Sequence, residues 1–125
     1  MKPTLVVPCY NEARRLDGST FVEGSKLFAA LVFVDDGSTD ATASLLETTV
    51  RGVVDGGGVS SLVTMDRNAG KGEAVRRGVK VALELVGPQH PVAFADADLS
   101  TPLDEIVRLT GLLRALDRDV VIGSR

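Results

Sequence analysis

The run Leu31-Val32-Phe33-Val34 is apolar at every position and stops at Asp35-Asp36-Gly37-Ser38-Thr39. A strand with one face in water alternates polar and apolar residues. A strand that is apolar throughout is buried on both faces, which is the mark of a parallel sheet covered by helices. The same kind of run recurs along the chain. Thr4 to Val7, closed by Pro8, reads as the first strand and Leu31 to Val34 as the second. Val59 to Met65 reads as the third, Pro91 to Ala95 as the fourth and Val120-Val121-Ile122 as the fifth.

Longer amphipathic stretches separate these runs. Glu12 to about Ala29 is predicted as a helix with a weak point at Asp17-Gly18-Ser19. Thr39 or Asp40 caps a second helix that runs to about Val54. Glu73 to about Val86 is the third, with Val75, Val79, Ala82, Leu83 and Val86 spaced for one buried face. Ser100 or Thr101 caps the last, with Pro102 at its first turn, and it carries Ile106, Leu109, Leu112, Leu113 and Leu116. Strict alternation of strand and helix predicts an α/β three-layer sandwich, a mostly parallel sheet with helices on both faces and right-handed crossovers. Residues 1–125 read as one domain, without repeats or a linker.

Composition narrows the function classes. Fourteen Lys and Arg against seventeen Asp and Glu give a net charge of −3, which offers no general attraction to nucleic acid. One cysteine, Cys9, excludes an internal disulfide, and one histidine excludes a Cys/His metal cluster. A reducing, cytoplasmic location is expected. No apolar run approaches the ~20 residues needed to cross a bilayer.

The polar residues carry more information. Pro8-Cys9-Tyr10-Asn11-Glu12, Asp35-Asp36-Gly37-Ser38, Asp66-Arg67-Asn68-Ala69-Gly70-Lys71 and Asp96-Ala97-Asp98 each follow a predicted strand. In a parallel sheet these carboxyl ends share one edge, where open α/β sheets bind ligands. Converging carboxylates repel one another unless a cation or hydrogen bonds compensate. The Asp96/Asp98 pair supplies hard oxygen ligands suited to Mg2+ or Mn2+, although Asp-X-Asp also serves as a turn and helix cap. Asp35 to Asp40 taken alone is mostly turn chemistry, although a strand-end Asp can also read a base or sugar by accepting a hydrogen bond. Arg67, Lys71 and Arg125 are candidates to neutralise phosphates, against a simpler reading as solvated charges. Cys9 reads as a small strand-end residue rather than a nucleophile, because no neighbour obviously lowers its pKa. No G-x-G-x-x-G follows the first strand, and Asn68-Ala69-Gly70-Lys71-Gly72 lacks the P-loop pattern.

Val7-Pro8-Cys9-Tyr10-Asn11-Glu12, Val34-Asp35-Asp36-Gly37-Ser38-Thr39-Asp40, Arg67-Asn68-Ala69-Gly70-Lys71-Gly72 and Asp96-Ala97-Asp98, in that order, resemble the family 2 inverting glycosyltransferases of GT-A fold. The stretch from Asp96 to Pro102, with Gly123-Ser124-Arg125, looks most like the branch that loads glucose or mannose onto a polyprenyl (dolichyl) phosphate. The resemblance implies that Pro8, Tyr10 and Glu12 cradle a nucleoside and that Asp36 bonds the base. Arg67 and Lys71 would lie toward the nucleotide and its phosphates. Asp96 would face the ribose or the metal, and Asp98 would bind the metal bridging the diphosphate. Arg125 would lie by the phosphates at the reacting centre. The implied donor is UDP-glucose or GDP-mannose, the metal Mn2+ or Mg2+, and the acceptor a polyprenyl phosphate. Members of the family continue well past Gly123-Ser124-Arg125. The chain is therefore expected to resemble the nucleotide-binding half, a truncated GT-A fold, whose exposed apolar edge favours a homodimer.

Three other readings compete. A phosphoacceptor receiver domain also pairs acidic residues with Mg2+, but after its first strand. A nucleotidyltransferase opens with a Gly-rich basic loop that Cys9-Tyr10-Asn11-Glu12 does not resemble. A non-catalytic nucleotide-sugar-binding fragment would bind the donor without turnover.

Overall fold

The computed structural model describes residues 1–115, with side chains as far as residue 112. Four strands and four helices alternate: β1 (Thr4–Cys9), α1 (Gly18–Gly24), β2 (Ala30–Asp35), α2 (Thr42–Asp55), β3 (Ser60–Thr64), α3 (Lys71–Val86), β4 (Val92–Phe94) and α4 (Leu103–Ala115). A 3₁₀ turn, Ser25–Leu27, links α1 to β2. The strands form one sheet in the order β3-β2-β1-β4. Every pairing is parallel, with Thr4 beside Ala30 and Val92, and Leu31 beside Ser60. The predicted fifth strand, Leu116 and Arg125 lie outside the described residues.

The continuous apolar strands explain the layering. Leu5, Val7, Leu31 and Phe33 face one side with Phe21 of α1, Leu46 and Val53 of α2, and Leu103 and Ile106 of α4. Val6, Val32 and Val34 face the other side, against Ala74 and Ala82 of α3. Each fully buried Phe or Leu contributes about 1.5–3 kcal/mol by leaving water. Phe21 and Phe33 meet edge-to-face, ring centroids 5.1 Å apart, and tie α1 to the central strand.

Two helices depart from the sequence expectation. The first does not run from Glu12. Residues 12–16 form a turn in which Arg15 and Leu16 both donate to the Glu12 carbonyl, at 2.9 and 2.8 Å. The predicted weak point is the true start: Asp17 Oδ1 accepts from the Ser19 backbone N–H at 3.1 Å, and Asp17 Oδ2 accepts from Thr20 Oγ1 at 3.1 Å. Asp favours the helix N-cap over the interior because its side chain competes for backbone donors.

In α3 the buried row is Ala74, Gly78 and Ala82, while Val75 and Val79 flank it half-buried and Leu83 is exposed. A Cβ at Gly78 would overlap Val6 Cγ1 and lie 3.0 Å from Val34 Cγ2. The helix lies so close to the sheet that its facing row must be small. The second helix starts at Thr42 with Ala41 in the N-cap position and no side-chain cap there, one residue past the cap expected at Thr39 or Asp40; Asp40 Oδ1 instead reaches in from outside to accept from the Thr42 N–H at 2.9 Å.

Candidate functional site

The carboxyl ends of β1, β2 and β4 open into a cleft of about 390 Å³. Its walls are Pro8, Cys9, Tyr10 and Glu12 from the end of β1, Asp36 from β2, Asn68 and Lys71 from the β3–α3 segment, and Asp96, Ala97 and Asp98 after β4. Seven of the residues expected at the site thus meet in one place: Pro8, Tyr10, Glu12, Asp36, Lys71, Asp96 and Asp98. Arg67 is exposed on the loop and is absent from the cleft wall.

Backbone braces hold the loops in register. Asn11 sits in the left-handed region at φ 50°, which Asn tolerates better than most residues. Its N–H donates to Ser38 Oγ at 3.0 Å, and its Oδ1 accepts from the Thr39 N–H at 2.9 Å. The Glu12 N–H donates to Thr42 Oγ1 at 2.9 Å. The β1 and β2 ends therefore behave as one rim. Gly37, at φ 73°, lets the Arg67–Asn68 backbone cross directly over it, where a Cβ would overlap that peptide.

Asp36 is almost fully buried, at 3% exposure. Its Oδ1 accepts from the Ala69 N–H at 2.8 Å. Its Oδ2 accepts from the Gly70 N–H at 3.0 Å and from Asn68 Nδ2 at 3.1 Å. This carboxylate anchors the loop that leads into α3. Neighbouring Asp35 accepts from the Ser38 N–H at 3.0 Å and closes the β2 turn. Glu12 Oε2 is shut from solvent, makes no hydrogen bond and lies 3.2 Å from Arg15 Nε.

Across the cleft, Lys71 Nζ pairs with Asp96 Oδ1 at 2.5 Å and lies 5.8 Å from the centre of the Phe94 ring. Asp98 is exposed, and its Oδ1 accepts from the Ser100 N–H at 3.1 Å. Leu99, at φ 52°, turns the chain after this pair, with its N–H on the Asp96 carbonyl at 3.0 Å. A leucine there is strained, and such strain is found where a loop is held in one functional shape. Cys9 is buried, and burial, then the Glu12 and Asp35 carboxylates, push its thiol pKa far up. It is therefore no nucleophile at neutral pH.

Asn68 and Asn11 had not been assigned roles from sequence. Their signal was a polar amide in a strand-end loop, two residues past β1 for Asn11 and four past β3 for Asn68, which composition alone does not separate from turn chemistry. Among the described residues no group of three or more His, Cys, Asp or Glu side chains converges to cage a metal ion. Two carboxylates on one short loop, facing an open cleft, suit a hard cation that takes its remaining ligands from water and phosphate oxygens.

Fold and cleft define an open α/β protein with an acidic cleft at the carboxyl ends of a parallel sheet. The chain belongs to glycosyl transferase family 2, whose pattern matches residues 4–125. It is 27% identical over 135 residues to a dolichyl-phosphate beta-glucosyltransferase of Dictyostelium discoideum, covering 98% of this chain and 39% of that protein. It is 28% identical to an uncharacterised protein of Methanocaldococcus jannaschii, covering 96% of this chain and 50% of that one. Among solved structures it resembles a mannosyltransferase from Pyrobaculum calidifontis in complex with GDP-Man and Mn2+, with TM-score 0.66 and 25% identity over 90% of this chain and 33% of that one. The fold is accordingly the α/β, GT-A type. The chain spans half or less of the length of these relatives. Among the described residues no helix is long and apolar enough to cross a membrane.

Proposed function

We propose that this chain binds a nucleotide-sugar donor with a divalent cation, and that the protein it represents transfers the hexose, with inversion, to a polyprenyl phosphate. The observation that carries the reading is the meeting of Asp96 and Asp98 with Pro8, Tyr10, Asp36 and Lys71 in one cleft at the sheet edge. The relatives' names, one acting on dolichyl phosphate and one holding GDP-Man and Mn2+, support the same chemistry.

Asp96 and Asp98 are the residues that would hold Mn2+ or Mg2+. When bound, the ion supplies Lewis-acid stabilisation of the departing nucleoside diphosphate. The chain's own residues do the rest. Pro8, Tyr10 and Glu12 form the wall against which a nucleoside lies. Asp36 keeps the 68–70 loop closed over that wall and retains acceptor capacity for a base N–H. Lys71 brings positive charge to the diphosphate. Arg67 and Arg125 are assigned to the phosphates on the strength of the family pattern. A phosphate acceptor is already anionic at neutral pH, so it needs orientation more than a general base.

The test is transfer of labelled sugar from UDP-glucose or GDP-mannose to a short polyprenyl phosphate with Mn2+ or Mg2+. The expected result is product from one donor, lost with EDTA and reduced at least about a hundredfold in Asp98→Ala, as for removal of a charge-stabilising group. A second reading, donor binding without transfer, is favoured by the share of the relatives' length that this chain spans. Donor binding with no product would select it. No binding to either donor would overturn both.

A further inference from the structure

Among the described residues, the cleft wall holds carboxylates from Glu12, Asp36, Asp96 and Asp98 and a single cationic side chain, Lys71. The Asp36 carboxylate already accepts three loop N–H groups. Lys71 turns to a different carboxylate. Its Nζ lies 2.5 Å from Asp96 Oδ1. Lys71 opens α3, directly after Gly70 at φ 98°, and lines the same cleft as Asp96. The pair is half-exposed, with side-chain exposures of 56% and 36%. Exposed pairs of this kind are weak and exchange readily.

We propose that Lys71 is a resident counter-ion that occupies the cation position at Asp96 until a divalent cation arrives, and then swings to the diphosphate of the donor. This rests on reading the cleft as a metal-dependent donor site. Electrostatics supports the exchange. A divalent ion and an ammonium cannot share one carboxylate oxygen at contact distance without strong repulsion. The ammonium displaced by the metal is left beside the new negative charge, the diphosphate. Metal and donor then bind in positive linkage: each makes the other's binding stronger because each rewards the same movement of Lys71. Phe94, 5.8 Å from the ammonium, provides a resting surface for the lysine without fixing its orientation.

The test is reactivity of the Lys71 amine toward reductive methylation, read by peptide mass spectrometry. Binding of Mn2+ is followed in parallel by loss of the free-ion signal in electron paramagnetic resonance. Lys80, exposed on the same helix, is the internal reference. Lys71 reactivity is expected to rise about two- to fivefold relative to Lys80 when Mn2+ binds, the range an exposed ion pair imposes. It is expected to fall again when UDP or GDP is added with the metal. Lys71→Met is expected to bind Mn2+ two- to fivefold more tightly alone, by about the same factor, yet to bind the Mn2+–nucleotide pair more weakly than wild type. Mn2+ binding that leaves Lys71 reactivity unchanged would overturn the counter-ion exchange and leave the donor site standing. No Mn2+ binding, with or without nucleotide, would overturn both. A uniform loss of metal and nucleotide binding in Lys71→Met would also reject the exchange, since it would make the lysine a plain support.

Discussion

Asp36 shows how one side chain can serve structure and site together. Its two oxygens take three N–H donors from residues 68–70, and a carboxylate has roughly four acceptor positions. By that count these donors leave about one acceptor position unused, the one the proposed donor site would offer to a base N–H. Asp36→Asn replaces one acceptor oxygen by an NH2 group that faces N–H donors. Leaving such groups unpaired costs about 1–3 kcal/mol, so urea unfolding should show a loss in that range together with weaker nucleotide binding. A variant as stable as wild type would mean that the loop does not depend on this carboxylate. Cys9 gives the opposite kind of prediction. Its thiol is buried at 1% exposure, and its pKa is raised by burial and by the Glu12 and Asp35 carboxylates. Iodoacetamide at pH 8 should leave the native chain unlabelled and label it fully in denaturant. Rapid native labelling would place an accessible thiolate in the cleft wall.

At the scale of elements, α3 is the part most constrained by its neighbours. Gly78 sits against Val6 and Val34 with no room for a Cβ. Helix propensity alone would make Gly78→Ala stabilising by up to about 1 kcal/mol. Overpacking a filled interface costs about 1–3 kcal/mol, so the packing term wins and the variant should lose stability in thermal or urea unfolding. A gain would show that α3 can move away from the sheet. The same helix marks where sequence reading stops. The 3.6-residue spacing correctly indicated a helix ending near Val86 and placed Ala82 on its buried face, but it set Val75, Val79, Leu83 and Val86 beside it and passed over Ala74 and Gly78. The distance between helix and sheet, which local pattern does not encode, gave the centre to Ala74, Gly78 and Ala82. In the first helix, Asp17-Gly18-Ser19 was visible as a weak point. That it was the N-cap depended on three hydrogen bonds to Asp17 and on a preceding turn closed by the Glu12 carbonyl. β1 and β2 were legible because residues buried on both faces must be apolar at nearly every position; β3 and β4 are only partly buried and were marked by their alternation with the helices. That polar residues after the strands gather at the sheet edge was legible too, and Pro8, Tyr10, Glu12, Asp36, Lys71, Asp96 and Asp98 do line one cleft. Arg67 is exposed and absent from that cleft wall, because a strand-end loop fixes the backbone and leaves a long side chain's direction open.

At the scale of the molecule, the parallel order β3-β2-β1-β4 brings motifs far apart in sequence to one rim. Asp36 and Gly70 are 34 residues apart and hydrogen-bonded, and Lys71 and Asp96 are 25 apart and ion-paired. The cleft thus exists only in the folded sheet, and a ligand that fills it stabilises the fold by mass action, by about 2.7 kcal/mol at a hundred times its Kd. On β4, Phe94 is left 58% exposed. The most direct test of the account is calorimetric titration of this chain with GDP-mannose and with UDP-glucose, in Mn2+ and in EDTA, on wild type and Asp98→Ala. The account predicts that one donor binds with metal and that binding disappears with EDTA and in the variant. Binding that persists unchanged in EDTA and in Asp98→Ala, or no binding of either donor, would contradict it.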